Sequence, residues 1–363
     1  MSSTATLPTR PTAFQDPQAL HRAFQQLRHE RKLRHRDAAR QLGVSECEAV
    51  AAAIGQNGTM QSLRLAAPWP ELFEQVPTLG TVMALTRNDS AVHEKVGRYE
   101  QMSHEGGMGM ALGPDIDLRI FYRRWAHAYA VREDEGKGAR HSLQIFDAQG
   151  VAIHKVFLRD SSDETAWAAF IDGHRHPNQE PGEAVEAAGD AENALPDEVI
   201  DHDGFREGWA ALADTHDFFP LLRRFKVTRT QALRLAPLGF ATPVAASAAR
   251  ELLRAAAERL MPIMCFVGNP GMIQIHSGPV RRVEVMGPWL NVLDPGFNLH
   301  LREDRIADAW VVRKPTRDGM VTSLELFDAE GQTIALFFGE RKPGVPELPA
   351  WRALVEALTG VSP

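Results

Sequence analysis

Three features of the chain predict an α+β fold built as a tandem structural repeat, each half a large antiparallel β-sheet flanked by helices. The first is a repeated nonapeptide: Ser142-Leu143-Gln144-Ile145-Phe146-Asp147-Ala148-Gln149-Gly150 returns 181 residues later as Ser323-Leu324-Glu325-Leu326-Phe327-Asp328-Ala329-Glu330-Gly331. The second is that this displacement holds without a gap when carried backward. It pairs Ala128-Tyr129-Ala130-Val131 with Ala309-Trp310-Val311-Val312, Asp117-Leu118 with Asn298-Leu299, Gly97 with Gly278 and Asn88 with Asn269. A register kept over about sixty residues implies duplication of a folded unit rather than chance likeness. The third is a change of apolar period, from two inside the repeated segments to 3.6 outside them.

In chain order, Pro17 to Leu42 and Glu46 to Ile54 show the 3.6 period with few breakers and are predicted helical. Leu118 and Ile120, Tyr129 and Val131, and Leu143 and Ile145 then alternate as half-buried strands do. Asp147-Ala148-Gln149-Gly150 supplies a turn into Val151 to Leu158, and Asp328-Ala329-Glu330-Gly331 a matching turn into Gln332 to Phe338. Helices around Thr165 to Ile171 and Pro349 to Leu358 close the two copies, while Phe205 to Phe225, Thr230 to Leu235 and Pro243 to Arg259 are helical by the same pattern. The stretch Asn178 to Glu198, rich in Glu, Ala, Gly and Pro, is either a solvated linker or a helical insertion packed on the surface. The domains expected are therefore residues 1–177 and 199–363, joined by 178–198.

Composition narrows the function classes. A chain of 363 residues, 44% hydrophobic and 24% charged, is sized for two ordinary globular cores. No apolar run approaches the roughly 18 to 20 residues of a membrane span, and the first residues, Met1 to Phe14, lack the apolar core of a secretory signal. A cytoplasmic protein without membrane insertion is expected. Cys47 and Cys265 stand alone, which argues against a disulfide framework or a cysteine-based metal site. A net charge of −7 gives no general bias toward nucleic acid.

Leu85 to Glu100 (LTRNDSAVHEKVGRYE), Asp115 to Phe121 (DIDLRIF), Asp214 to Ala236 (DTHDFFPLLRRFKVTRTQALRLA) and Ala309 to Gly331 (AWVVRKPTRDGMVTSLELFDAEG) closely resemble the HemS/ChuS haem-utilisation family of Gram-negative bacteria. The resemblance implies a two-repeat protein that holds a single haem (iron protoporphyrin IX) between its halves. It places the proximal iron ligand on His216, within Thr215-His216-Asp217-Phe218-Phe219. It places an arginine on the opposite side of the iron, Arg119 in Leu118-Arg119-Ile120-Phe121, with Arg123 and Arg124 as the alternatives. It also implies that Lys314 and Arg341 meet the propionates.

Those residue types suit that chemistry. Neutral imidazole supplies a basic nitrogen for iron near neutral pH. Read as part of a helix, the His216 segment offers Phe218 and Phe219 as walls of an apolar pocket. A guanidinium donates hydrogen bonds to whatever occupies the iron's other face without binding the metal itself. The displacement aligns Arg119 with His300, so the copies differ where a function acquired by one copy would show. His93 and His104, in or beside a resemblance segment, have no ligand spacing and are expected to be structural.

Two activities fit such a site: carrying imported haem to a receiver, and opening the ring oxidatively to release iron. The partners expected are haem itself and a haem importer, together with a downstream haem oxygenase for a carrier or an external electron donor for a degrading enzyme. Two further readings compete. Asp37 to Glu46, with Gly43 at a bend and Arg34, Arg36 and Arg40 nearby, has the outline of a DNA-binding helix-turn-helix. A ligand-free interaction scaffold is the other.

Overall fold

The computed structural model describes residues 14–360, apart from 67, 135, 137, 188, 190–193 and 343. The leaderless N-terminus expected above and five residues of the expected linker lie outside that description. The chain runs α1 (Pro17–Arg31), α2 (His35–Gln41), α3 (Glu46–Ala51), β1 (Met60–Leu65), α4 (Trp69–Glu74), β2 (Gly80–Arg87), β3 (Ala91–Gly97), β4 (Met102–Glu105), β5 (Met108–Leu112), β6 (Asp117–Phe121), β7 (His127–Asp134), β8 (Ala139–Phe146), β9 (Ala152–Ser162) and α5 (Glu164–His174). It continues α6 (His202–Ala210), α7 (Phe218–Phe225), α8 (Arg229–Leu235), β10 (Ala241–Val244), α9 (Ala248–Glu258), β11 (Pro262–Asn269), β12 (Met272–Pro279), β13 (Val283–Met286), β14 (Trp289–Asp294), β15 (Phe297–Arg302), β16 (Asp308–Thr316), β17 (Gly319–Phe327), β18 (Thr333–Gly339) and α10 (Pro349–Ala357).

Two compact units result, and the 181-residue register is carried into both. Unit 1 comprises residues 1–87, 95–190 and 269–273, and unit 2 comprises residues 88–94, 191–268 and 274–363. Within unit 1, β1, β7, β8, β9 and β2 pair antiparallel in that order, and β4, β5 and β6 form a meander. Within unit 2, β10, β16, β17, β18 and β11 repeat the first arrangement, and β13, β14 and β15 the second. Each unit takes in a short segment from the other half of the sequence, and a matched asparagine fixes it. In unit 1 Asn269 Nδ2 donates to Arg87 O and Ile153 O at 2.9 and 2.8 Å. In unit 2 Asn88 Nδ2 donates to Gly268 O and Ile334 O at 3.1 and 2.8 Å.

The turns behave as the nonapeptide predicts. Asp147 Oδ1 accepts from the amides of Gln149 and Val151, Asp328 Oδ1 from those of Glu330 and Gln332, and Gly150 and Gly331 take φ of 76° and 75°. That left-handed backbone favours glycine. Apolar side chains on the inner sheet faces pack under helices: Trp167 and Phe170 of α5 join Leu118, Ile145 and Val156 in unit 1. In unit 2, Trp351 and Leu354 of α10 join Leu299, Leu324 and Phe337.

Several expectations are corrected. The helix expected over 17–42 is two, because Lys32 ends α1 in the left-handed region at φ 54°. The helix expected over 205–225 is also broken, since the chain is extended at Asp214 between α6 and a single 3-10 turn, Thr215–Asp217. Pro243 belongs to β10, where it pairs with Trp310, so the helix expected from there begins at Ala248. The first part of the expected linker is not helical, and it is tied to β1 although Asn178, Glu180 and Ala184 are exposed. Arg64 ties it down, its guanidinium donating to Asn178 O, Gly182 O and Glu183 Oε2, and Val185 is buried.

The helix-turn-helix outline proves to be a repeated structural element. Ser45 caps α3 and Thr228 caps α8, each with a capping box, to Glu48 and Gln231 respectively. Gly43 at φ 70° and Lys226 at φ 53° make the matching bends. A recognition helix needs a free face, yet every residue of α3 is buried and Glu46 is paired with Lys155.

Candidate functional site

The segment between α6 and α7 presents a histidine to solvent on a fixed backbone. Asp214 is the N-cap of the 3-10 turn, and its Oδ1 accepts from the backbone amide of His216 at 2.8 Å. The same oxygen lies 2.6 Å from His216 Nδ1. The imidazole is 89% exposed, so Nε2 is the ring nitrogen left for a ligand. His216's backbone amide foremost, with its ring and the charge of Arg341, holds the Asp214 carboxyl below the usual carboxylate range.

Phe218, at the start of α7, anchors the histidine's turn. It is buried against Trp209, ring centroids 4.6 Å apart, and lies under two cations, Lys314 Nζ at 4.7 Å and the Arg229 guanidinium at 5.4 Å from its centroid. Phe218 therefore belongs to the core rather than to the wall of a pocket. Phe219, 63% exposed, is the aromatic ring left free beside His216.

The expected site residues of unit 2 separate into two groups. His216 and Arg341 share the neighbourhood of Asp214, whose carboxyl feels the Arg341 charge. Arg341 lies just beyond β18, and its Nη1 is buried without a hydrogen-bond partner among the described residues. An unpartnered guanidinium nitrogen of that kind suits a carboxylate. Lys314, expected at the propionates, already has a carboxylate partner. It is 3% exposed, with Nζ 2.7 Å from Glu325 Oε1, and Glu325 also takes a bidentate pair from Arg229 at 2.8 and 2.9 Å. Burial lowers the Lys314 ammonium to about 8. Burial pushes the Glu325 carboxyl up, but the Arg229 and Lys314 charges outweigh it and hold the group well below the usual range. Any propionate reaching Lys314 would compete with this built-in carboxylate.

Arg119 lies on β6 in unit 1, its side chain 31% exposed, with Nη1 donating to Asp117 Oδ1 and to Leu118 O. Met110 stands opposite it across the β5–β6 pair. Arg123 and Arg124 are exposed on the turn after β6, and Arg123 Nη2 donates to Gly106 O at 3.3 Å. The residue equivalent to Arg119 in unit 2, His300, has its Nδ1 2.7 Å from Asn291 Oδ1.

Three further histidines are packed or hydrogen-bonded within the fold. His93 is buried with its ring 5.0 Å from that of Phe297, and His104 Nδ1 lies 2.8 Å from the Tyr122 hydroxyl. His154, unremarked in the sequence, is buried between Thr86 Oγ1 at 2.8 Å and Tyr99 OH at 2.6 Å, and burial lowers it to about 3. A cavity of about 520 Å³ in unit 1, lined by Arg64, Trp69, His127, His176 and Glu183 among others, includes none of the expected site residues.

Among the described residues no three His, Cys, Asp or Glu side chains converge to hold a bare metal ion. A lone exposed imidazole fits instead a metal that arrives with its other ligands already in place, as iron does in a porphyrin. The exposed Phe219 ring and the unsatisfied Arg341 nitrogen suit the apolar face and the carboxylates of that ligand. Asp214, Arg229 and Glu325 did not stand out in the sequence. An aspartate two residues before the histidine was the available signal for the first; nothing local marks the other two.

The model of the haemin-degrading HemS/ChuX domain matches the chain twice, over residues 43–174 and 226–358. The hemin transport protein HmuS of Yersinia pestis is 39% identical over 327 residues, 89% of this chain and 92% of that protein. The hemin transport protein HemS of Yersinia enterocolitica is 40% identical over 323 residues, 87% of this chain and 90% of that one. Among solved structures, the haem-bound form of PhuS, a heme-binding protein from Pseudomonas aeruginosa, superposes with a TM-score of 0.91 at 46% identity, covering 94% of this chain and 99% of that one. The Escherichia coli O157:H7 heme degrading enzyme ChuS gives 0.87 at 34% identity, with 94% and 99% covered.

Proposed function

Because the chain belongs to the family of haemin-degrading HemS/ChuX-domain proteins and carries that domain twice, we propose that it binds one haem as cargo through His216 Nε2 and passes it on. The observation that carries this reading is the exposed imidazole whose Nδ1 is committed to Asp214, leaving a single nitrogen for iron. A single protein ligand suits exchange better than two strong axial ligands would. Arg341 pairs with a propionate through its unsatisfied nitrogen, and Phe219 lies against the porphyrin. Lys314 contributes indirectly, by holding Phe218 and so the turn that bears His216. Arg119 is the donor proposed for the other face of the iron; Asp117 takes its Nη1, and Nε and Nη2 carry further N–H donors.

Two proteins named for hemin transport and a heme-binding protein at 46% identity support carriage of haem; the place proposed for it is the cytoplasm, the source a haem importer and the receiver a haem oxygenase. The likeness to ChuS supports a second reading, oxidative degradation fed by an external electron donor. Titration of the purified protein with hemin, followed at the Soret band, tests the binding: saturation at one haem per chain is expected, and a spectrum that stays that of free hemin rejects it. Aerobic incubation of the complex with ascorbate and catalase then separates the activities. A persistent Soret band marks a carrier, and its loss with iron release marks an enzyme.

A further inference from the structure

We infer that Asp214 is a positioning residue that fixes the tautomer and direction of the His216 ring, an inference resting on the haem-binding role proposed for that ring. An ionised carboxylate only accepts hydrogen bonds, so the 2.6 Å approach of Asp214 Oδ1 to Nδ1 requires the proton to be on Nδ1. The lone pair is then on Nε2, the nitrogen that faces outward. Which nitrogen of a histidine binds a metal is set by the hydrogen bond the other one makes, and a carboxylate partner also increases electron donation by the ring.

Three observations separate this role from helix capping alone. Capping needs only the bond from the His216 amide, whereas the same oxygen also takes the ring. The ring is almost fully exposed, where such a contact adds little to stability, so its consequence is orientation. Finally, the pair occurs in one copy only. By the 183-residue offset between the equivalent caps Ser45 and Thr228, unit 1 has Arg31 and Leu33 where unit 2 has Asp214 and His216, and Leu33 packs on the core. The two copies therefore differ at both members of the pair.

The test compares D214N and D214S with wild type and with H216A, all titrated with hemin. Asn and Ser both remain good N-caps, so the turn is retained while the carboxylate is lost; circular dichroism and the unfolding midpoint verify this. Both variants should bind hemin about ten-fold or more weakly, the usual effect of removing such a partner. In the ferrous complex the iron–imidazole stretching frequency, read by resonance Raman, should fall, and the reduction potential of the bound haem should rise. Wild-type affinity, frequency and potential in D214N and D214S, with H216A defective, overturn the inference and leave the proposed function standing. A wild-type spectrum and affinity in H216A overturn both.

Discussion

Glu325 is where the support beneath the site is most exposed to a single change. Glu325→Gln keeps the volume and removes one charge from a fully buried carboxylate that serves Arg229, Lys314 and Ser323. Breaking a buried ion pair from one side costs about 3 to 5 kcal/mol, because the remaining charge is left uncompensated. Lys314 limits the loss: already lowered to about 8 with Glu325 present, it sheds its proton at pH 7 for at most about 1.4 kcal/mol at ~1.4 kcal/mol per pKa unit. The expected loss is therefore at the lower end, about 3 kcal/mol, and part of it appears at Phe218, whose ring lies under both cations. Equilibrium urea unfolding measures the total, and hydrogen exchange on peptides covering 214–225 measures the local part. The pH dependence has a definite sign. In the wild type the unfolded chain binds more protons at this lysine between about 8 and 10.5, so its contribution makes stability rise with pH through that window. Without Glu325 the lower edge of the window moves below 8, since the attraction that raised the lysine is gone. A variant with wild-type stability and unchanged exchange at 214–225 would refute the idea of a charge-supported turn.

Two further outcomes rest on the same geometry. Gly150→Ala should cost about 3 kcal/mol and Gly331→Ala about 1 to 2, as both incur left-handed strain but a Cβ at Gly150 would lie 2.3 Å from Ser45 Oγ, against 3.2 Å to Thr230 Oγ1 at Gly331; equal losses in thermal unfolding would contradict the close approach. His154, lowered by burial to about 3 from 6.5, should remain neutral at pH 5 and make stability fall as pH drops through that interval, where the unfolded chain takes up the proton first; nitrogen-15 NMR showing a charged ring at pH 5 would count against it.

The repeat was legible because duplication preserves spacing: β4 (Met102–Glu105) and β13 (Val283–Met286) are 181 residues apart at both ends, although their sequences share little. Helix ends were less legible. Apolar periodicity continues from Phe205 to Phe225, but α6 ends at Ala210 and the chain is extended at Asp214, whose side chain caps the next turn. Resemblance singled out His216 as a candidate, but its exposure was not legible, because that depends on where the break falls. Lys314 and Glu133 occupy equivalent positions in the two copies, both buried and both ion-paired. Opposite charges stand at one structural position, each compensated by a buried partner, which no single-residue reading of Lys314 reveals.

The central claim is an iron bond to one exposed nitrogen. A crystal structure of the hemin complex measures it directly: iron should be attached to His216 Nε2, with Nδ1 still held by Asp214. Iron attached to another side chain, or a porphyrin bound without His216, would contradict the claim.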